Sequence, residues 1–130
     1  MDIKSAEKLF DKNSKQILRI FKKVQILEFW LKTKIADTKS KTRQDFEIYQ
    51  KWLEDKTWNF VINEYLDLYP DKESSRFILK QAMASRNNFM HAIYTWAMFE
   101  KAEKIEKIGE DMLQGIEDNI DKALDRLLKD

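Results

Sequence analysis

Apolar residues recur along most of this chain at steps of three and four, the spacing that lines one face of an α-helix. Over residues 2–37, starting at Asp2 or Ser5, the stripe comprises Ile17, Ile20, Phe21, Val24, Leu27, Leu31 and Ile35, with lysines on the other face. Asn13 and Ser14 are placed to interrupt it, leaving Leu9 and Phe10 on a short leading turn. Residues 38–42 hold nothing apolar and predict a loop. A second helical region, from 43 to about 68, carries Phe46, Tyr49, Trp52, Leu53, Phe60, Val61, Tyr65 and Leu68. Its stripe is broken by Glu54, Asp55, Lys56 and Thr57, which predicts a kink or two separate helices.

Tyr69-Pro70 closes that region, because proline cannot continue the hydrogen-bond ladder and disfavours helix in the residue before it. A third helix is expected from 71–74, where Asp71 and Glu73 suit the positive end of the helix dipole, with Phe77, Ile78, Ala82, Phe89 and Ile93 as core candidates. Its end is expected near Tyr94-Thr95. A final helix to about residue 128 shows Ile105, Ile108, Met112, Ile116, Ile120, Ala123 and Leu127 as one stripe. Gly109 and Gly115 are expected where another helix approaches closely, and Glu117, Asp118 and Asp121 on a solvated face. The pattern predicts an all-α fold, a four- to five-helix up-and-down bundle with residues 1–130 as a single domain.

Composition agrees with that pattern. Two glycines, one proline, 36% charged and 43% hydrophobic residues describe a helix-rich globular chain of 130 residues, long enough to bury a core. The absence of cysteine removes disulfides and thiol chemistry. No apolar run reaches the length of a membrane span and the first residues lack a signal-peptide core, so a cytoplasmic protein is expected. The net charge is +1, but residues 1–44 hold 12 Lys+Arg against 5 Asp+Glu, and the remainder 12 against 18. The basic segment can track a phosphate backbone or pair with the acidic last helix.

The chemistry the chain can offer is narrow. With one histidine and no cysteine, there is no zinc motif and no His-Glu-x-x-His or paired Glu-x-x-His spacing; two glycines build no phosphate loop. Neither a metal nor a cofactor is expected. What remains is Arg86-Asn87-Asn88-Phe89-Met90-His91. Imidazole exchanges protons near neutrality, and a guanidinium beside it supplies fixed positive charge for a phosphate. On a helix Arg86 and His91 stand about 140° apart, whereas Asn87 and His91 share a face. A second copy of the helix would therefore complete the site. Trp52, Trp58 and Phe60 are candidate stacking platforms for unpaired bases, against the plainer reading that aromatics at helical spacing form core.

The segment resembles the signature of the HEPN domains: Arg, a polar residue that is often Asn, three further positions, then His. Arg86-Asn87-Asn88-Phe89-Met90-His91 matches without a gap, the apolar run Phe77, Ile78, Leu79, Ala82 and Met83 leads in, and Tyr94 and Trp96 follow. Some toxin members carry Tyr two positions after the His; here that position is Ile93, with Tyr94 one further on. The resemblance implies a helical bundle that dimerises with two motifs facing each other. It also implies a metal-independent endoribonuclease of toxin–antitoxin or phage-defence systems, with Arg86 and His91 catalytic and Asn87 and Asn88 supporting. RNA, a second copy and a protein antitoxin or regulator are the implied partners. The alternative is a non-catalytic helical interaction module or inhibitor in which Arg86 and His91 make structural hydrogen bonds.

Overall fold

The computed structural model describes the backbone of residues 3–99 and 102–128, and within these the side chains of all but residues 3, 5, 6, 9, 90–99 and 102–109. Among the described residues there are six α-helices and no strand: α1 (Ile3–Lys12), α2 (Ser14–Lys39), α3 (Arg43–Leu53), α4 (Trp58–Leu68), α5 (Arg76–Phe99) and α6 (Ala102–Leu128). Six replaces the expected four or five because both suspected interruptions are complete. Asn13 separates α1 from α2, and residues 54–57 separate α3 from α4.

Local chemistry accounts for the starts. The Thr42 hydroxyl accepts from the Asp45 amide at 3.1 Å and the Thr57 hydroxyl from the Phe60 amide at 3.2 Å, each satisfying an otherwise orphan donor of a first turn. Two other boundaries depart from the sequence reading. Pro70–Ser75 is a 3₁₀ turn and α5 begins only at Arg76. At its far end α5 continues through Tyr94 and Thr95 to Phe99, since neither residue forces a break when no Gly or Pro is present.

The core gathers where α2, α4, α5 and α6 meet. Ile20, Leu27, Leu31 and Ile35 of α2 are fully buried against Ile62 and Leu66 of α4, Leu79 and Ala82 of α5, and Leu113, Ile120 and Ala123 of α6. α5 and α6 pack along each other most extensively, and α2 lies across α3, α4 and α6. Two expected core residues are outside. Phe21 is 53% exposed because it stands one residue, about 100°, past buried Ile20. Phe77 is 70% exposed because α5 turns Leu79, Ala82 and Phe89 inward instead. Ile93, Ile105 and Ile108 lie outside the described side chains.

The acidic face of α6 is also not a plain solvated one. Glu117 is only 4% exposed and takes hydrogen bonds from Arg19 Nε at 2.6 Å, Arg19 Nη2 at 2.9 Å and Lys23 Nζ at 2.9 Å. Lys23 also pairs with Asp121 at 2.7 Å, and Lys12 with Glu110 at 3.1 Å. The basic N-terminal helices thus spend part of their charge on α6. A Cβ at Gly115 would meet nothing within 4 Å, so no helix approaches there. Among the described residues no helix is long and apolar enough to cross a membrane.

Candidate active site

The whole Arg86–His91 segment lies on the uninterrupted helix α5. Its rotation is fixed by what it buries: Ala82, Ser85 and Phe89 face the bundle, and Ser85 accepts a hydrogen bond from Asn119 Nδ2 of α6 at 2.9 Å. With Ser85 inward, the next residues turn outward, and Arg86, Asn87 and Asn88 are all exposed.

Arg86 rests its guanidinium over the ring of Trp58, 5.6 Å from the ring centroid, and donates from Nη1 to Asn87 Oδ1 at 3.1 Å. Trp58 itself is 5% exposed and belongs to the core. The contact is a cation–π pair worth about 0.5–1 kcal/mol at an exposed site, enough to hold a flexible side chain near one place. Among the described residues no carboxylate lies within ion-pair distance of Arg86.

Both residues edge a groove of about 480 Å³. Its walls are Glu28 of α2, residues 54–57, Trp58 and Asn59 at the start of α4, and Met83, Arg86 and Asn87 of α5. The charge there is mixed. Glu28 is held by Lys32 at 2.9 Å, Lys56 sits 5.3 Å from the ring centroids of Trp52 and of Phe60, and Glu54 and Asp55 add negative charge. An anionic chain entering the groove would meet Arg86 and Lys56 and would have to pass the carboxylates. A larger groove, about 640 Å³, lies elsewhere, where Arg126 donates to Ser74 and Ser75.

The structure therefore brings Arg86 and Asn87 together and leaves Asn88 exposed beside them. The helix carries position 91 one turn beyond 87, but the His91 side chain lies outside the described residues. Of the three aromatic candidates for base stacking, Trp58 is buried and serves Arg86. Trp52 is 37% exposed, and Lys39 and Lys56 each lie 5.3 Å from its ring centroid; Phe60 packs edge-on against it. Sequence alone marked Trp58 as an aromatic but not as the seat of Arg86, which lies 28 residues away in the chain. The Ser85–Asn119 link carried no local signal. Among the described residues no group of three or more His, Cys, Asp or Glu is arranged to hold a metal ion. Comparison of the chain with protein-family models, with curated proteins and with solved structures gives no match.

Proposed function

We propose that the chain is a metal-independent endoribonuclease of the HEPN type, acting on single-stranded RNA as a homodimer whose motif helices meet. The observation that carries this reading is the exposed Arg86–Asn87 pair at the rim of a groove, its guanidinium free of any carboxylate among the described residues. A guanidinium with no ion-pair partner among the described residues is available to a phosphate, to which it offers a planar two-donor fork. In this mechanism His91 is the general base or acid: the imidazole takes the proton of a ribose 2′-hydroxyl, whose oxygen attacks the adjacent phosphorus as the P–O5′ bond breaks, and the imidazolium gives a proton to the departing 5′-oxygen. Arg86 stabilises charge on the phosphoryl oxygens, and the products are a 2′,3′-cyclic phosphate and a 5′-hydroxyl. Asn87 and Asn88 position the phosphate or His91. A toxin–antitoxin or phage-defence setting, with a protein antitoxin as regulator, follows from the same reading.

The test is cleavage of labelled single-stranded RNA in excess EDTA. Wild type should cut it, while His91→Ala and Arg86→Ala should each lose roughly two to four orders of magnitude in rate. Arg86→Lys should fail as well, because an ammonium lacks the planar fork. An all-deoxy substrate should stay intact for want of a 2′-hydroxyl. Full activity in His91→Ala, or dependence on a metal, contradicts the mechanism. The second reading, a non-catalytic interaction module, draws support from the apolar residues exposed on α2 and gains if no RNA is cut.

A further inference from the structure

An exposed indole stands next to the motif groove, and the mechanism does not use it. Trp52, near the end of α3, is 37% exposed, whereas Phe60 packs against the buried cluster. Tyr49 and Phe60 meet Trp52 edge-on, at 6.2 and 5.4 Å between ring centroids. Two ammonium groups lie 5.3 Å from its centroid: Lys39, the last residue of α2, and Lys56, in the loop between α3 and α4.

Lys56 joins this cluster to the motif. It lines the groove that Arg86 and Asn87 edge, and among the described residues no carboxylate lies within ion-pair distance of it. Arg86 rests on the ring of Trp58 in the same manner. Two cations of one groove thus sit on rings rather than on carboxylates, although Glu54 and Asp55 line it too. An ammonium on a ring is held loosely. At an exposed site that contact shifts an equilibrium by a factor of about two to five, whereas a base stacked on an aromatic side chain is worth about five- to a hundredfold. A base can therefore displace a lysine from Trp52. The lysine that leaves is Lys56, because Lys39 is also tied to Glu64 at 3.2 Å.

We propose that Trp52 is the stacking platform for an unpaired base of the RNA strand, and that the released Lys56 takes a phosphate of that strand between Trp52 and Arg86. The proposal rests on the reading of RNA as substrate, and it adds where the strand is gripped beside the reacting phosphate. Rings with cations between them suit a single strand of any sequence, since every base has a face to stack and every step a phosphate. Glu54 and Asp55 oppose the backbone, so charge supplies the smaller share of affinity and the ring the larger. With Lys56 and Arg86 engaged, log Kd should change with log salt by a slope of about 1–2.

Binding can be measured without cleavage. In the His91→Ala protein, a labelled oligouridylate of about ten nucleotides should form a complex by fluorescence anisotropy, and Trp52→Ala in that background should weaken it about tenfold or more. Trp52→Phe keeps a ring face and should retain most of the affinity while losing most of the indole quenching that the RNA produces. Lys56→Gln should weaken binding a few-fold and lower the salt slope by about 0.7. A deoxy strand of the same length should bind through the same ring although it is not cut. The proposal is overturned if folded Trp52→Ala binds as tightly as its parent, or if no single strand binds at high micromolar concentration. Should Trp52→Ala fail to fold, quenching that persists in Trp52→Phe overturns it as well. Trp52-dependent binding without any cleavage by wild type supports the platform and counts against the ribonuclease reading. Cleavage whose KM is indifferent to Trp52→Ala keeps that reading and removes the platform.

Discussion

At the scale of single residues, the carboxylate with the largest set of charged partners among the described residues is Glu117 of α6. The Glu117 side chain is 5% exposed, and hydrogen bonds, chiefly from Arg19 and against the opposing effect of burial, hold its pKa near 2, below the ordinary 4.5. The same contact raises Arg19. A carboxyl whose folded pKa is depressed contributes stability above its unfolded pKa and loses it as pH falls through the folded value. Glu117→Gln should therefore destabilise the protein by about 1–3 kcal/mol at neutral pH, less than a fully buried pair because Arg19 and Lys23 can turn back to water. Denaturant unfolding of both proteins between pH 7 and pH 2 should show that gap constant down to about 4.5 and closing toward 2; a gap independent of pH would mean the charge is not what matters. Sequence placed Glu117 among surface acids because its neighbours Asp118 and Asp121 read the same way. The approach of α2 buries Glu117 and leaves Asp118 exposed, through cations 98 and 94 residues distant from Glu117.

At the scale of elements, the helices themselves were legible where chemistry is local. Asn13, the polar run 54–57 and Pro70 each end a stripe, and Thr42 and Thr57 cap the next. What was not legible is a helix end that no Gly or Pro marks, so that α5 passes the expected break at Tyr94-Thr95. A glycine inside a helix was also ambiguous, since close approach and simple tolerance leave the same letter in the sequence. Gly115 is a case of tolerance: it sits inside α6, has no positive φ, and faces open space. Gly115→Ala should raise stability by about 1 kcal/mol, through lower entropy of the unfolded chain and better helix propensity. Thermal unfolding of the variant measures this directly. A loss of stability would mean that an approach the monomer does not contain, such as another copy, occupies that side of α6.

At the scale of the whole molecule, α6 ties the basic N-terminal half to the helix that carries the motif. Glu117 takes Arg19 and Lys23 of α2, and two residues on, Asn119 donates to the buried Ser85 of α5, directly before Arg86. The charge asymmetry of the chain was visible in the sequence, but its destination was not: Lys12, Arg19 and Lys23 all end on α6 carboxylates. The Asn119–Ser85 bond gives this arrangement a test. Asn119→Ala leaves the Ser85 hydroxyl inside the bundle without its donor and should cost about 1–2 kcal/mol. Ser85→Ala in the same background should recover part of that loss, giving a coupling of about 0.5–1.5 kcal/mol in a double-mutant cycle. Strictly additive losses would show that the two groups do not depend on each other. If RNA is the substrate, Asn119→Ala should also slow cleavage at temperatures where the variant is fully folded, because the bond fixes the rotation of α5 that turns Arg86 toward the groove. A purely structural role would lower the unfolding midpoint and leave the rate of the folded protein unchanged.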